Sequence, residues 1–339
     1  MFVTTEGSLW RINFNYLSLV MQYTAVIRTL GTAGEKYQTL LNSLATQTIQ
    51  PTAILVYIAE GYPIPNETIG VEQYIHVKKG MVAQRALRYD EVETEYILFL
   101  DDDLYLPPTA VATLYDSLIR HNADVISPDV FPNAKRSLLG KFIMAVSGRM
   151  VARSNDEIWG YKVMRNAGYS YNETPHKDVY WSQTNAGPCF FCRKKDFLNI
   201  RFKNEIWIEK CSYPLGEDQV MFYKMYCFGL KQLTHYTSGI VHLDAGTTTQ
   251  SMDKVRTLIF ADFRFKTIFW HRFIFLPEKS FLPRIWDCIC IGYTLLFTLL
   301  ISLLKCELSI LKLKWSAITD GIRFVRSNEY KQLPRIIKQ

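Results

Sequence analysis

The chain has no cysteine framework. Its seven cysteines include one pair with metal-like spacing, Cys189-x-x-Cys192, but no second pair follows, and Cys211 and Cys227 lack the spacing. Phe190 and Phe191 between the paired cysteines read as a buried strand. These features exclude a disulfide scaffold, predict no zinc site and imply a reducing compartment. A secretory signal is also missing, because Glu6 and Arg11 interrupt the apolar start and no small-residue cleavage pattern follows. No internal repeat or low-complexity tract occurs. Charge is sparse, at 21% against 48% apolar residues, which excludes extensive disorder.

A chain of 339 residues can hold one large domain or two smaller ones. Its net charge of +7 is unevenly placed. Residues 1–253 carry 24 Lys/Arg against 26 Asp/Glu, a balance of −2, while residues 254–339 carry 15 against 6, a balance of +9. A near-neutral body with a basic tail predicts that the tail meets an anionic surface. The same tail holds a charge-free and mostly apolar run, the 17 residues from Cys288 to Leu304, preceded by Arg284 and Trp286 and followed by Lys305. That length is short for a span, so the expectation is an anchor that either crosses the bilayer or lies on it.

The first half alternates strand-like and helix-like segments, as in a wound α/β sheet. Strands are expected at Tyr23–Arg28, Ala53–Ile58, Tyr74–Val77, Tyr96–Leu100 and Asp124–Ser127. Helical spacing occurs over Glu35–Gln47, a helix is expected from Lys79-Gly80 through Arg88, and another from about Pro108 to Arg120. From Lys135 to Trp181 the pattern loosens into an irregular, aromatic-rich stretch, an expected acceptor lid or ordinary core packing. Regular structure is expected again at Cys189–Arg193, in a helix beginning near Gly216, and in a last strand at Gly239–Leu243.

Chemistry concentrates at Asp101-Asp102-Asp103, at the end of the fourth strand. Carboxylates there face the crevice where open α/β sheets bind ligands. Three adjacent carboxylates raise one another's pKa unless something offsets them, and a hard divalent ion carrying phosphate oxygens would do so. An acidic turn capping the next helix is the plainer alternative. Glu217 and Asp218 open a helix, where the dipole keeps a carboxylate ionised, as a general base requires. His242 follows in an apolar strand, either as a packed histidine or as a further metal ligand.

Taken in order, Ala25–Leu30, Leu40–Gln47, Ile54–Gly61, Lys79–Arg85 and Tyr96–Asp103 resemble the nucleotide-binding half of family 2 glycosyltransferases. Asn185–Arg193 resembles that family's acceptor segment, and Gly216-Glu217-Asp218 its Glu-Asp pair. The resemblance implies a GT-A type wound mixed sheet flanked by helices, with a C-terminal helical, apolar and basic membrane-associating extension. It divides the chain into a leader (1–22), a transferase domain (23–250, with nucleotide-sugar half 23–130 and acceptor half 131–250) and the extension (251–339, with apolar segment 285–304). It implies Asp218 as catalytic base with Glu217 beside it. Arg28, Glu60, Arg85, Asp101 and Asp102 would bind the donor, and Asp103 and His242 would hold Mg²⁺ or Mn²⁺. Gly187, Arg193 and Trp181 would face the acceptor. Arg28 replaces the proline usual in the first strand, and Ala59 the first of two acidic residues after the second. The Gln-x-x-Arg-Trp motif of processive synthases is absent after the Glu-Asp pair, which implies single additions.

The implied function is inverting transfer of one sugar from a nucleoside-diphosphate sugar to a hydroxyl of a lipid-linked glycan, in cell-surface polysaccharide assembly at the cytoplasmic face of a membrane. No nucleic-acid partner is expected. The alternatives are a polyprenyl-phosphate glycosyltransferase, a sugar-1-phosphate nucleotidyltransferase (for which Gly31-Thr-Ala-Gly34 is a poor phosphate loop), and an inert membrane-anchored carbohydrate- or nucleotide-binding module.

Overall fold

A computed structural model describes residues 21–131, 136–244 and 251–338. The expected leader therefore lies almost wholly outside the described residues, as does Gln250. Eleven strands form one mixed sheet. Its regular half is β1 (Tyr23–Thr29), β2 (Ala53–Ala59), β3 (Glu72–Val77) and β4 (Tyr96–Asp101), all parallel in the order β3-β2-β1-β4. Strands β1, β2 and β4 are mostly apolar and buried on both faces, as parallel strands between helical layers must be. Their shared direction puts the ends of β1 and β4 side by side, with Arg28 opposite Asp101.

A two-residue ribbon follows β4: β5 (Leu104–Tyr105) pairs with a late strand, Val241–His242. Further along the chain come β6 (Val125–Pro128), β7 (Met150–Arg153), β8 (Trp159–Val163), β9 (Tyr169–Asn172), β10 (Val179–Ser182), β11 (Cys189–Arg193) and β12 (Gln232–His235), so that Val241–His242 is β13. Beyond β4 the sheet continues β11-β6-β12-β10-β8-β9-β7, with β11 antiparallel to both β4 and β6. The region from Lys135 to Trp181 is thus not irregular: a short helix and strands β7–β10 extend the sheet through it. These strands (MVAR, WGYKV, YSYN, VYWS) break their apolar residues with Gly, Ser, Asn, Lys or Arg and lack the apolar run that marks the equally short β11.

Helices α1 (Glu35–Ala45) and α2 (Ala110–Arg120) cover one face, where Leu40, Leu41 and Leu44 meet Leu114 and Leu118. Helices α3 (Leu138–Val146), α4 (Lys194–Asn199), α5 (Glu217–Cys227) and α6 (Met252–Phe269) follow, then α7 (Phe281–Leu304), α8 (Leu308–Arg326) and α9 (Asn328–Gln332). Strand alternation divides β11 between the two cores, Cys189 and Phe191 on the α1–α2 side and Phe190 and Cys192 on the other. The two cysteines therefore point away from each other, and burial pushes both thiols up.

The C-terminal helical extension packs onto the domain. Phe265, Phe269 and Phe273 share a core with Phe190, Trp207 and Phe222. Glu205, fully buried, accepts from Lys224 Nζ at 2.7 Å, Trp207 Nε1 at 2.7 Å and Arg272 Nε and Nη2 at 2.8 Å each. Burial alone would raise Glu205, but the two cations hold it below the usual carboxylate range.

The helix expected over Lys79–Arg88 is a series of turns instead. Gly80 has a positive φ of 153°, and the Glu209 carboxylate accepts the backbone N–H groups of Val82 and Ala83 at 2.8 Å each. The carboxylate caps this turn as an N-cap side chain does; Gln84 N–H donates to Gly80 O at 2.9 Å and Ala86 N–H to Val82 O at 2.7 Å, and the coil ends there.

Candidate active site

The loops at the carboxyl ends of β1 and β4 and the start of α5 converge on one cleft. Arg28, on β1, grips Asp101 with Nε at 3.1 Å and Nη2 at 2.8 Å, and its Nη1 reaches Met81 O at 3.2 Å and Glu217 at 3.4 Å. Arg85, 5% exposed, arrives from the turns after β3. Its Nε lies 2.9 Å from Glu217 Oε1, and it donates from Nη1 to Asp218 at 2.8 Å and from Nη2 to Gly187 O at 2.9 Å; Nη2 also lies 3.6 Å from Asp101. One guanidinium thus joins the two acidic clusters.

Gly187 closes the arrangement. Its N–H donates to Asp218 Oδ2 at 3.0 Å, and a Cβ there would stand 1.9 Å from Asp218 Oδ1. Only glycine lets the backbone approach so closely.

Glu217 and Asp218 are driven apart in acidity. Glu217, 1% exposed, is raised well above its ordinary value by burial, with the neighbouring Asp218 charge adding to it and Arg85 and Arg28 opposing. Asp218, 37% exposed, faces the cleft. Burial pulls it upward, but Arg85, a hydrogen bond with Glu217, Arg28 and the Gly187 N–H outweigh that and hold it below its ordinary value. The two neighbouring carboxyls are thus shifted in opposite directions, Glu217 upward and Asp218 downward.

The three aspartates differ as well. Asp101 is held by Arg28. Asp102 accepts the Thr29 hydroxyl, yet burial, reinforced by Asp101 and Asp103, pushes it up to about 6. Asp103 Oδ2 lies 3.2 Å from His242 Nε2, because the β5–β13 ribbon sets His242 opposite Leu104. Burial lowers His242, but Asp103 more than compensates and the imidazole is raised overall. Its Nδ1 is buried without a hydrogen-bond partner. Among the described residues no group of three or more His, Cys, Asp or Glu side chains forms a metal cage. Two protein ligands do fit a divalent ion that keeps waters and shares a diphosphate.

Two cavities meet here. The first, about 570 Å³, is lined by Thr29, Lys79, Gln84, Asp101–Asp103 and His242. The second, about 390 Å³, is lined by Tyr161, Tyr169, Asn185, Tyr213, Glu217 and Asp218. Met81 and Pro214 belong to both walls.

Arg28, Arg85, Asp101–Asp103, Gly187, Glu217, Asp218 and His242 are therefore gathered together. The other expected site residues are not. Glu60 sits exposed at the end of β2 and lines neither cavity. Arg193 pairs with Tyr96 across β11–β4, at the opposite end of β4 from Asp101, and binds Glu95, Asp124 and Asp196. The antiparallel direction of β11 carries it away. Trp181 packs beside the α1–α2 core and also lines neither cavity. Tyr161 and Tyr169, two of the aromatics in the expected lid, do face the second cavity, while Tyr171 and Tyr180 are buried. Tyr213, Pro214 and Met81 carried no sequence signal: each is placed by a loop whose path depends on the whole fold.

No family model matches the sequence, and no curated protein matches it. Among solved structures, that of GalNAc-T7 with UDP, GalNAc and Mn²⁺ is 10% identical, with a TM-score of 0.46 over 74% of this chain and 50% of that one. Staphylococcus aureus TarS is 13% identical, with a TM-score of 0.43 over 81% of this chain and 43% of that one. A TarS 1–349 structure is 15% identical, with a TM-score of 0.45 over 81% and 71%. This chain spans half or less of the length of the first two.

Proposed function

We propose that the chain transfers a single sugar from a nucleoside-diphosphate sugar to a hydroxyl of a glycan, with inversion at the anomeric carbon. The observation that carries this reading is Arg85, whose guanidinium touches Asp218 and approaches Asp101 within 3.6 Å. It sets an ionised carboxylate at the edge of one cavity against a three-aspartate wall in the next. A site for two substrates needs that arrangement.

In this reading the larger cavity takes the donor. Asp103 and His242 would hold Mg²⁺ or Mn²⁺ together with diphosphate oxygens, and the ion would neutralise charge on the leaving diphosphate. The acceptor enters the tyrosine-lined cavity, where rings can stack on sugar faces. Asp218 takes the proton of the acceptor hydroxyl as its oxygen bonds to the anomeric carbon and the bond to diphosphate breaks. Arg85 and the Gly187 N–H hold Asp218 ionised and aimed. The basic, apolar C-terminal region supports a lipid-linked acceptor and a place at the cytoplasmic face of a membrane.

A thermal-shift screen of nucleoside diphosphates, with and without Mn²⁺, tests the donor site, since a ligand stabilises the fold according to its affinity. Asp103→Ala is expected to lose the metal-dependent part of that shift. Asp218→Asn is expected to keep it and abolish transfer. Near-normal turnover in Asp218→Asn would refute the base assignment, and donor turnover separates an enzyme from an inert binding module.

A further inference from the structure

Helix α7 has its polarity reversed. It is long and apolar enough to cross a membrane. Yet its buried residues are Asp287, Ile291, Thr294, Thr298 and Ser302, four of the five polar. Its exposed residues include Leu282, Trp286, Ile289, Leu296 and Leu300. At 3.6 residues per turn these five fall within an arc of about 80°, all exposed positions of the helix within about 160°, and the buried set within about 80° on the opposite side. A helix of a soluble protein buries its apolar stripe; this one buries its polar stripe.

The polar stripe is tied down along its length. Arg165 Nη1 lies 2.7 Å from Asp287 Oδ1, Asn166 Nδ2 donates to Thr294 Oγ1 at 3.0 Å, and Lys314 Nζ, on α8, donates to Ser302 Oγ at 2.8 Å. The turn that ends α3 reaches the same place, since a Cβ on Gly148 would meet Thr294 Cγ2 at 2.3 Å. Helix α3 itself has no fully buried residue and exposes Leu138, Leu139 and Phe142. Exposed Lys279 stands before α7, and exposed Lys305 and Lys312 follow it.

The geometry points to an in-plane lipid-docking face: α7, flanked by α3, lies flat in the interface of an anionic bilayer and does not span it. This deepens the membrane-attachment part of the proposed function. A span would need lipid on every side of the helix, and Arg165, Asn166 and Lys314 hold a polar domain along one side. An apolar outer face with cations at both ends matches acyl chains below and anionic headgroups around them. The active-site cleft would thereby be held beside the membrane, where a lipid-linked acceptor presents its sugar.

The test adds the full chain to preformed vesicles of phosphatidylcholine, alone or containing phosphatidylglycerol, and follows flotation. Binding is expected to be at least about tenfold tighter to the anionic vesicles and to weaken with salt. Leu296→Glu with Leu300→Glu, both exposed, should weaken it by roughly tenfold or more, since two apolar anchors are lost. The variant should keep its melting transition and nucleoside-diphosphate shift. Depth is read at Cys306, an exposed residue just past α7, with Cys211, Cys288 and Cys290 changed to Ser. An impermeant maleimide should label it fully without detergent. Protection of Cys306 until detergent is added would mean a span and overturn the proposal. Equal binding to both vesicle types would overturn it too, as would unaltered binding by the double Glu variant, or absent binding with a self-associated chain that this variant dissociates. Loss of nucleotide binding with vesicle docking intact would count only against the donor site.

Discussion

Replacing Arg85 by methionine keeps most of its volume and removes the guanidinium that joins the two acidic clusters. Arg85 is 5% exposed, donates charge-assisted hydrogen bonds to Asp218 and Gly187 O, and sets its Nε 2.9 Å from Glu217. At about 1.5–3 kcal/mol each their sum would be large, but such bonds are not additive. Breaking a buried pair on one side costs about 3–5 kcal/mol. We take about 4 kcal/mol. With roughly 2.1 cal/mol/K of unfolding entropy per residue over 339 residues, that lowers the melting midpoint by about 6 °C. Urea unfolding at neutral pH measures the stability directly.

The same change acts on chemistry. Asp218 sits below its ordinary pKa because Arg85 and its other partners outweigh burial. Without Arg85 burial gains, the folded-state pKa rises, and the acid limb of the pH–rate profile moves to higher pH. Arg85→Lys restores the charge but cannot fork to three acceptors, so it should recover part of the stability and less of the rate. A loss below about 1 kcal/mol in Arg85→Met, together with an unmoved acid limb, would refute the reasoning, because the loss expected for a broken buried pair is several times larger.

Gly187→Ala places a Cβ 1.9 Å from Asp218 Oδ1, so turnover should fall by about tenfold or more while the nucleoside-diphosphate shift persists; unchanged turnover would show that Asp218 need not stay where it is. Glu205→Ala strands Lys224 and Arg272 in the core and should cost at least about 3 kcal/mol in urea unfolding. Asp129, pushed up to about 6 by burial, with Tyr161 opposing, binds its proton more tightly folded than unfolded. Its contribution to stability is full below the unfolded value of 3.8 and is lost as pH rises through about 6. Asp129→Asn should therefore raise the melting midpoint above pH 6 relative to the parent and give no such gain near pH 4, in paired thermal scans.

Much of the site was legible before any coordinates. Strands β1, β2, β4 and β11 are mostly apolar runs, and the starts of α1 and α5 follow glycines. Local composition was enough for these. Asp101–Asp103 ended a strand by sequence alone, and Glu217-Asp218 opened a helix. What escaped was whatever depends on a distant partner. The turns around Arg85 are capped by Glu209, a carboxylate far along the chain. The strands from β7 to β10 interrupt their apolar residues with Gly, Ser, Asn, Lys or Arg, so no run announces them, and they pair because the sheet offers a partner.

By itself the sequence determined the parallel half of the sheet, the acidic strand end, the acidic helix start and an apolar segment near the C-terminus, because each rests on the periodicity or chemistry of neighbouring residues. Only the tertiary structure decided which of these meet. It put Asp101 and Asp218 on one guanidinium, sent Arg193 to the far end of an antiparallel strand, and turned the polar stripe of α7 inward. The physical reason is common to all three: strand direction, ion pairing and the facing of a helix are settled between segments, and no single segment encodes them.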